Sequence, residues 1–112
     1  MTSDQLTETF AALAHPTRRA MLDRLAEGDA TVAELAEPLP ISTQAVSQHL
    51  KVLERSGLVV RSRRAQLRPS SLQAAPLAAA VTWLEHYRGF WESSLDRLEE
   101  RVQVDEGNAR GA

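Results

Sequence analysis

Apolar residues return every three or four positions along most of this chain, which is the period of a helix buried on one side. The first run is Leu6, Phe10 and Leu13, and it predicts a helix over about residues 4–14. Pro16 should end this helix, because proline has no N–H to donate and disfavours helical angles in the residue before it. The chain therefore opens with a short amphipathic helix.

Two more short helices are predicted before the middle of the chain. One covers about residues 16–27, with His15 as a structural residue at its N-terminal boundary. The next begins at Thr31, because a threonine followed three positions later by Glu34 is a capping box. The residues of both helices that are expected to face the core are Met21, Leu22, Leu25, Val32, Leu35 and Leu39.

The stretch from 42 to 57 has the clearest helical signals. Ser42 is placed to cap a helix, and Gly57 is placed to close it in a left-handed conformation. The inward side consists of Val46, Leu50 and Leu53. The opposite side carries hydroxyls, amides and a lysine: Thr43, Gln44, Ser47, Gln48 and Lys51. Such groups can bind base edges and phosphates, although an ordinary solvated helix face is polar too.

An extended hairpin is predicted directly after this helix. Leu58-Val59-Val60 is typical of a strand, and a second short strand is plausible over about 67–72. The tip between them, residues 63–66, lacks the glycine or asparagine of tight turns. Two helices joined by a short turn and followed by a hairpin form a winged helix-turn-helix, mainly α with a small β-hairpin. The arginines of this wing are Arg61, Arg63, Arg64 and Arg68.

The last apolar pattern is long and predicts one helix over about 76–102. Its members are Leu77, Val81, Leu84, Tyr87, Trp91, Leu95, Leu98 and Val102. Four of the five aromatic residues of the chain lie in this segment. A small domain cannot cover so much apolar surface, which favours a symmetric dimer, although the aromatics could instead complete the core of the monomer. Residues 103–112 lack periodicity and are expected to form a disordered tail after a single domain over 1–102.

Charge is distributed unevenly although the chain carries only −2 in total. Residues 1–37 have three basic and seven acidic side chains, and residues 76–112 have four basic and seven acidic. Residues 38–75 have six basic side chains and the single acid Glu54. The net charges are therefore −4, −3 and +5, so that the basic middle of the chain can attract DNA locally.

Composition excludes several classes of protein. The chain contains no cysteine, which excludes disulfides, thiolate metal sites and thiol redox switches. No segment has the unbroken apolar length of a membrane helix, and the first residues do not resemble a signal peptide. We therefore expect a cytoplasmic protein with no membrane partner. The five glycines form no phosphate-binding loop and no serine lies in a nucleophile elbow, so we expect neither enzymatic activity nor a cofactor.

Double-stranded DNA is the partner that these features predict. In this hypothesis Thr43, Gln44, Ser47 and Gln48 read bases, while Lys51, the wing arginines and the helix hydroxyls hold phosphates. The complete set of predicted DNA-binding residues is Ser42, Thr43, Gln44, Ser47, Gln48, Lys51, Arg61, Arg63, Arg64 and Arg68.

Three runs of sequence resemble the ArsR/SmtB family of bacterial transcriptional regulators. They begin at Phe10 (FAALAHPTRRAMLDRL), at Val32 (VAELA) and at Ser42 (STQAVSQHLKVLERSGLV). The resemblance covers about residues 5–100. It implies a repressor that dimerises through its first and last helices and binds an imperfect palindrome. The interface residues that it implies are Leu6, Phe10, Leu84, Tyr87, Trp91, Leu95 and Leu98.

The chain departs from the metal-sensing members of that family. Their thiolate site requires cysteines, and the third helix here has none. Their other site, on the last helix, requires Asp-x-His and then His and Glu 11 and 14 residues further on. Leu84 and Arg97 replace two of those ligands, and only His86 and Glu100 match. Half a ligand set does not hold zinc or arsenic, so we expect a regulator that does not respond to metal.

Two alternatives remain at this point. The chain could be a winged-helix protein–protein interaction module that uses its aromatic last helix to hold another protein. It could also bind a small-molecule inducer near Trp83, Tyr87 and Trp91 at the dimer interface.

Overall fold

Six helices and one two-stranded sheet make up the computed structural model of the chain, which describes residues 2–63 and 66–110, the stretch 103–110 as backbone alone. The elements in chain order are α1 (Ser3–Leu13), α2 (Pro16–Leu25), α3 (Val32–Ala36), α4 (Thr43–Arg55), β1 (Val59–Arg61), β2 (Ser70–Leu72), α5 (Ala75–Glu85) and α6 (Arg88–Arg110). The chain divides into two compact units, Met1–Ala80 and Val81–Ala112. The first unit contains the helix-turn-helix and the hairpin, as the sequence predicts.

Side-chain caps fix where the first four helices begin. The hydroxyls of Thr2, Thr31 and Ser42 each accept from the backbone N–H three residues on. His15 caps α2 instead, since its Nδ1 accepts from the N–H of Thr17 at 3.1 Å. Each cap satisfies an N–H that the first helical turn leaves unpaired. The predicted capping box at Thr31 and the predicted boundary role of His15 are confirmed.

The core of the first unit is formed by one side of each helix and by the start of the hairpin. Its buried apolar residues are Ala12, Met21, Leu22, Leu25, Ala30, Leu35, Ala36, Val46, Leu50, Leu53, Leu58 and Val59. In α1 the structure differs from the predicted stripe, because Thr9 and Ala12 are the buried residues while Leu6 and Phe10 are only half-buried. The Thr9 hydroxyl tolerates burial because it donates to the carbonyl of Gln5 at 3.0 Å.

The wing is shorter than the sequence predicts. β1 and β2 pair antiparallel with Val59 opposite Leu72 and Arg61 opposite Ser70. The second strand begins at Ser70 instead of about residue 67, because Arg68 is left-handed (φ 45°) and belongs to the turn. Ala30 pairs with Ser70 on the other edge through two backbone hydrogen bonds of 2.8 and 3.1 Å, which ties the wing to the segment before α3.

The predicted single helix over 76–102 is wrong, because α5 ends at Glu85 and α6 begins at Arg88. The N–H of His86 donates to the carbonyl of Trp83 at 3.2 Å. Bonds that reach three residues back tighten the chain as in a 3₁₀ turn and interrupt the α-helical ladder. Gly89 follows closely, and glycine is a poor helix former, so the interruption costs little there.

The C-terminal part also differs from the expected disordered tail, because α6 continues to Arg110. Residues 99–106 contain no proline and several good helix formers, and their propensity favours continuing the helix even without an apolar stripe. No helix in the described parts of the chain is long and apolar enough to cross a membrane.

Candidate nucleic-acid interface

The helix α4 is held in the first unit by its inward side. Val46, Leu50 and Leu53 are fully buried, and Gly57 closes the helix at φ 80°, a conformation that glycine adopts without strain. Removing a fully buried leucine side chain costs about 2–5 kcal/mol, so the two leucines together with Val46 fix which side of the helix faces outward. The predicted cap and core side of this helix are confirmed.

The outward side of α4 is the polar surface that the sequence predicts. Thr43, Gln44, Gln48 and Lys51 are exposed, and Ser47 is half-buried between them. Ser42 is exposed as well, although its hydroxyl already accepts from the N–H of Ala45 at 3.1 Å as the helix cap. We call the set Thr43, Gln44, Ser47, Gln48 and Lys51 the polar face of α4.

The wing arginines fall into two groups. Arg63 and Arg68 are exposed, and they line a cleft of about 440 Å³ at the base of the hairpin together with Ser62 and the residues of β1. Neither forms an ion pair with a carboxylate in residues 2–63 or 66–102. Arg64, also predicted to bind DNA, lies outside the described residues.

Arg61 differs from the other predicted contacts because it is already paired. Its Nη2 lies 3.0 Å from Oε1 of Glu54, and the two side chains are only 28% and 33% exposed. The sequence predicts Arg61 as a phosphate contact and indicates no role for Glu54. The pair joins a helix to a strand. The one feature of the sequence that points to it is that Glu54 is the single acid among the six basic residues of segment 38–75.

His49 lies on α4 behind the polar face. It is half-buried, its ring centroid is 4.4 Å from that of His15, and its Nδ1 lies 3.3 Å from Nη1 of Arg18. Arginine can only donate, so Nδ1 of His49 must accept and carry no proton. Burial, and then the neighbouring His15 and Arg18, lower the pKa of His49.

Arg18 has a structural role that no signal in the sequence indicates. Its Nε donates to the carbonyl of Ala12 at 2.7 Å and its Nη2 to that of Ala11 at 3.0 Å. These are among the last carbonyls of α1, which lack an N–H partner four residues on; that of Ala11 also accepts from the N–H of Ala14. Arg18 thus connects the end of α1 to His49 in the middle of α4.

The predicted dimer residues lie in both units. Leu6 and Phe10 are half-buried on α1. In the second unit the large apolar side chains are exposed, at 37% for Trp91 and 60% for Leu95, and Leu84, Tyr87 and Leu98 lie between these values. Trp83 and Tyr87 form a tilted aromatic pair with ring centroids 5.2 Å apart. So much exposed apolar surface on α5 and α6 is typical of an interface.

Potential metal ligands are dispersed. Within the described residues, no group of three or more histidine, aspartate or glutamate side chains is arranged to hold a metal ion.

Known proteins share both the sequence and this geometry. Residues 13–62 match the model of a helix-turn-helix domain family. The HTH-type transcriptional regulator Rv2034 of Mycobacterium tuberculosis is 46% identical over 86 residues, which are 77% of this chain and 78% of that protein. A crystal structure of an ArsR family transcriptional regulator has a TM-score of 0.72 at 39% identity, covering 79% of this chain and 97% of the other. The chain belongs to the ArsR/SmtB family.

Two further proteins similar to this ArsR/SmtB-family chain are a repressor and a homodimeric DNA-binding domain. The transcriptional repressor SdpR of Bacillus subtilis is 32% identical over 82 residues, which are 73% of this chain and 91% of that protein. A homodimeric winged helix-turn-helix DNA-binding domain from Mycobacterium bovis has a TM-score of 0.62 at 27% identity, covering 76% of this chain and 82% of the other. The resemblance drawn from the sequence is confirmed: the chain is a DNA-binding transcriptional regulator and not an enzyme.

Proposed function

We propose that this regulator is a homodimeric repressor that binds an imperfect palindrome through α4 and whose DNA binding does not respond to metal. The observation that carries the proposal is the polar face of α4. Four of its five residues are exposed, it contains no acid, and three fully buried residues on the opposite side fix its direction. A helix with these properties after a short turn is the element that enters the major groove in helix-turn-helix proteins.

The roles within this face follow from side-chain chemistry. Gln44 and Gln48 are amides that both donate and accept, which suits the edge of an adenine. Lys51 lies about one turn beyond Gln48 and two turns beyond Gln44. Its charge is concentrated at one point, which suits a phosphate. Arg63, Arg64 and Arg68 would supply phosphate or minor-groove contacts from the wing.

Homodimerisation is favoured by the exposed apolar side chains of α5 and α6 and by the homodimeric relative. Two copies related by a twofold axis present two copies of α4. We expect these to lie about 34 Å apart, one turn of DNA, so that they read two half-sites of a palindrome.

Metal independence is supported by the residues at the positions where sensing relatives would carry ligands. The chain has no cysteine, and Leu84 and Arg97 stand where the last-helix site would need Asp and His. Neither leucine nor arginine is a metal ligand.

A small-molecule inducer remains a prediction. Trp83 and Tyr87 are 40% and 49% exposed, so a ligand bound beside them would change the environment of an indole ring. Titrating candidate metabolites while following tryptophan emission tests this prediction, and an unchanged emission across the panel would count against it.

The proposed base-reading role is tested with Gln44→Ala. We expect it to weaken binding to the specific site by about 1–3 kcal/mol and to leave binding to scrambled DNA unchanged, because an amide lost from a base edge removes discrimination alone. The measurement is fluorescence anisotropy on the DNA upstream of the gene and on a scrambled duplex.

The matched control is Lys51→Ala on the same face. Because Lys51 is assigned to a phosphate, its loss should weaken both duplexes alike and flatten the salt dependence by about one unit. Equal losses on both duplexes for Gln44→Ala would contradict its assignment as a base reader.

A further inference from the structure

The ion pair between Glu54 and Arg61 joins the two elements that are proposed to bind DNA. Glu54 is the last but one residue of α4, and Arg61 is the last residue of β1. Their nearest atoms, Oε1 and Nη2, are 3.0 Å apart. The pair therefore bridges the recognition helix and the wing at the point where the hairpin leaves the core.

The surroundings of the pair keep it from being an ordinary surface contact. Oε1 of Glu54 and Nε of Arg61 are both inaccessible to solvent, and apart from the ion pair itself neither atom has a further hydrogen-bond partner within the described residues. Two partly desolvated charges that have few other partners depend strongly on each other, because losing one leaves the other buried and uncompensated. Both lie along the cleft that Arg63 and Arg68 also line.

The remaining attachments of β1 hold the hairpin to the core, to β2 and through β2 to Ala30, but none of them joins the Arg61 side chain to α4. Leu58 and Val59 are buried and fix the beginning of β1, whereas Val60 is 50% exposed and contributes little to the core. Arg61 pairs with Ser70, which is in turn bonded to Ala30. The attachment of Arg61 to α4 itself is through Glu54.

We propose that Glu54 is a positioning residue that sets the specificity of DNA binding by holding the wing at a fixed place relative to α4 and by keeping the guanidinium of Arg61 off the phosphates. This inference rests on the proposed function. The inference also explains why Glu54, the single acid of the basic segment, lies there, since a carboxylate beside DNA otherwise only opposes binding.

Removing the carboxylate should have two opposite consequences. Arg61 becomes available to a phosphate, which strengthens binding to any duplex and makes it more sensitive to salt. The wing loses its fixed place, which weakens the preference for the specific site. A purely structural role would instead lower both affinities together and leave the salt slope unchanged.

The experiment compares Glu54→Gln with Glu27→Gln, which removes the same charge from an exposed residue outside the interface. Anisotropy is measured for the full chain on the upstream DNA and on a scrambled duplex over a salt series. Relative to Glu27→Gln, we expect Glu54→Gln to steepen the salt slope on scrambled DNA by about one unit, the change for one added phosphate contact. The ratio of specific to scrambled affinity should fall by roughly tenfold.

The double variant Glu54→Gln with Arg61→Gln separates the two consequences. Because Arg61 makes no phosphate contact in the proposal, the double variant should return to the wild-type slope while keeping the lowered ratio. A slope flatter than wild type would show that Arg61 already binds a phosphate and would overturn the proposal. A Glu54→Gln variant that matches Glu27→Gln in slope and ratio would overturn it too.

The outcomes also distinguish this inference from the proposed function. A wild-type protein that binds both duplexes equally would contradict the proposed function, and the slopes on scrambled DNA would still decide whether Glu54 restrains Arg61. A wild-type protein that prefers the upstream DNA, with a ratio that Glu54→Gln leaves unchanged, would overturn the inference alone.

Discussion

His49 shows how a single side chain helps to place α4, the proposed recognition helix. It accepts from Arg18 at 3.3 Å, and Arg18 holds the end of α1, so three helices meet at this point. The charged and titratable groups that face it are Arg18 from α2 and His15 from the turn before α2. A proton on His49 would remove the acceptor and add a positive charge beside the guanidinium.

We expect the free energy of unfolding to fall on acidification because of His49. Its pKa in the folded protein is lowered from 6.5 by burial, so the unfolded chain binds the proton first. Its contribution to stability is therefore full above pH 6.5 and is lost as the pH falls from there through the folded-state pKa. Urea unfolding of wild type and of His49→Gln, at pH values above and below that range, measures the change in the free energy of unfolding.

The glutamine variant can still accept from Arg18 but does not titrate, so its unfolding free energy should vary less with pH than that of wild type. His86→Gln, which removes a histidine from the second unit, serves as the control. The account of His49 fails if its variant keeps the wild-type dependence.

At the scale of elements, α6 carries two kinds of exposed apolar residue. Trp91, Leu95, Leu98 and Val102 follow one another in steps of four, three and four, so they form one stripe. Phe90 is the most exposed of the large apolar side chains described on this helix, at 73%, and lies about 100° away from Trp91 around the axis. Only the stripe has the form of a helix–helix interface.

We therefore expect Leu95→Glu to dissociate the dimer, because an unpaired charge buried in an interface costs roughly 3–5 kcal/mol. Phe90→Glu introduces the same charge off the stripe and should leave the dimer intact. Sedimentation velocity over a dilution series gives the mass of each variant. A monomer from both variants, or from neither, would argue against this stripe as the interface.

The sequence predicts most of the fold because its signals there are local. Ser42, Thr31 and Gly57 mark helix ends through contacts within a few residues, and each marks the end that the structure has. The break before α6 escapes prediction because the apolar steps of three or four run through His86 and Tyr87 without interruption.

The candidate site is less predictable than the fold, because parts of it depend on contacts between elements. The polar face of α4 follows from helical spacing alone, and all of its residues except the half-buried Ser47 are exposed. The pairing of Arg61 with Glu54 and of His49 with Arg18 depends on how a helix packs against another element. A charge count over the segment points to Glu54 but does not say which arginine it holds.

For the whole molecule, charge distribution should matter more than net charge. The basic segment from 38 to 75 contains both α4 and the wing, while the chain as a whole carries −2. DNA should therefore bind to the basic segment, and this binding should be sensitive to salt. If the protein approached DNA with any other surface, its acidic segments would repel the phosphates.

The central claim, a specific DNA-binding repressor that does not sense metal, is tested most directly by fluorescence anisotropy with purified protein. The DNA upstream of the gene is compared with a scrambled duplex over a salt series, with zinc or with a chelator added. We predict tight binding to the upstream duplex alone, a steep salt slope, and no change with either addition. Weak and equal binding to both duplexes would contradict specific recognition, and release of the DNA by zinc would contradict metal independence.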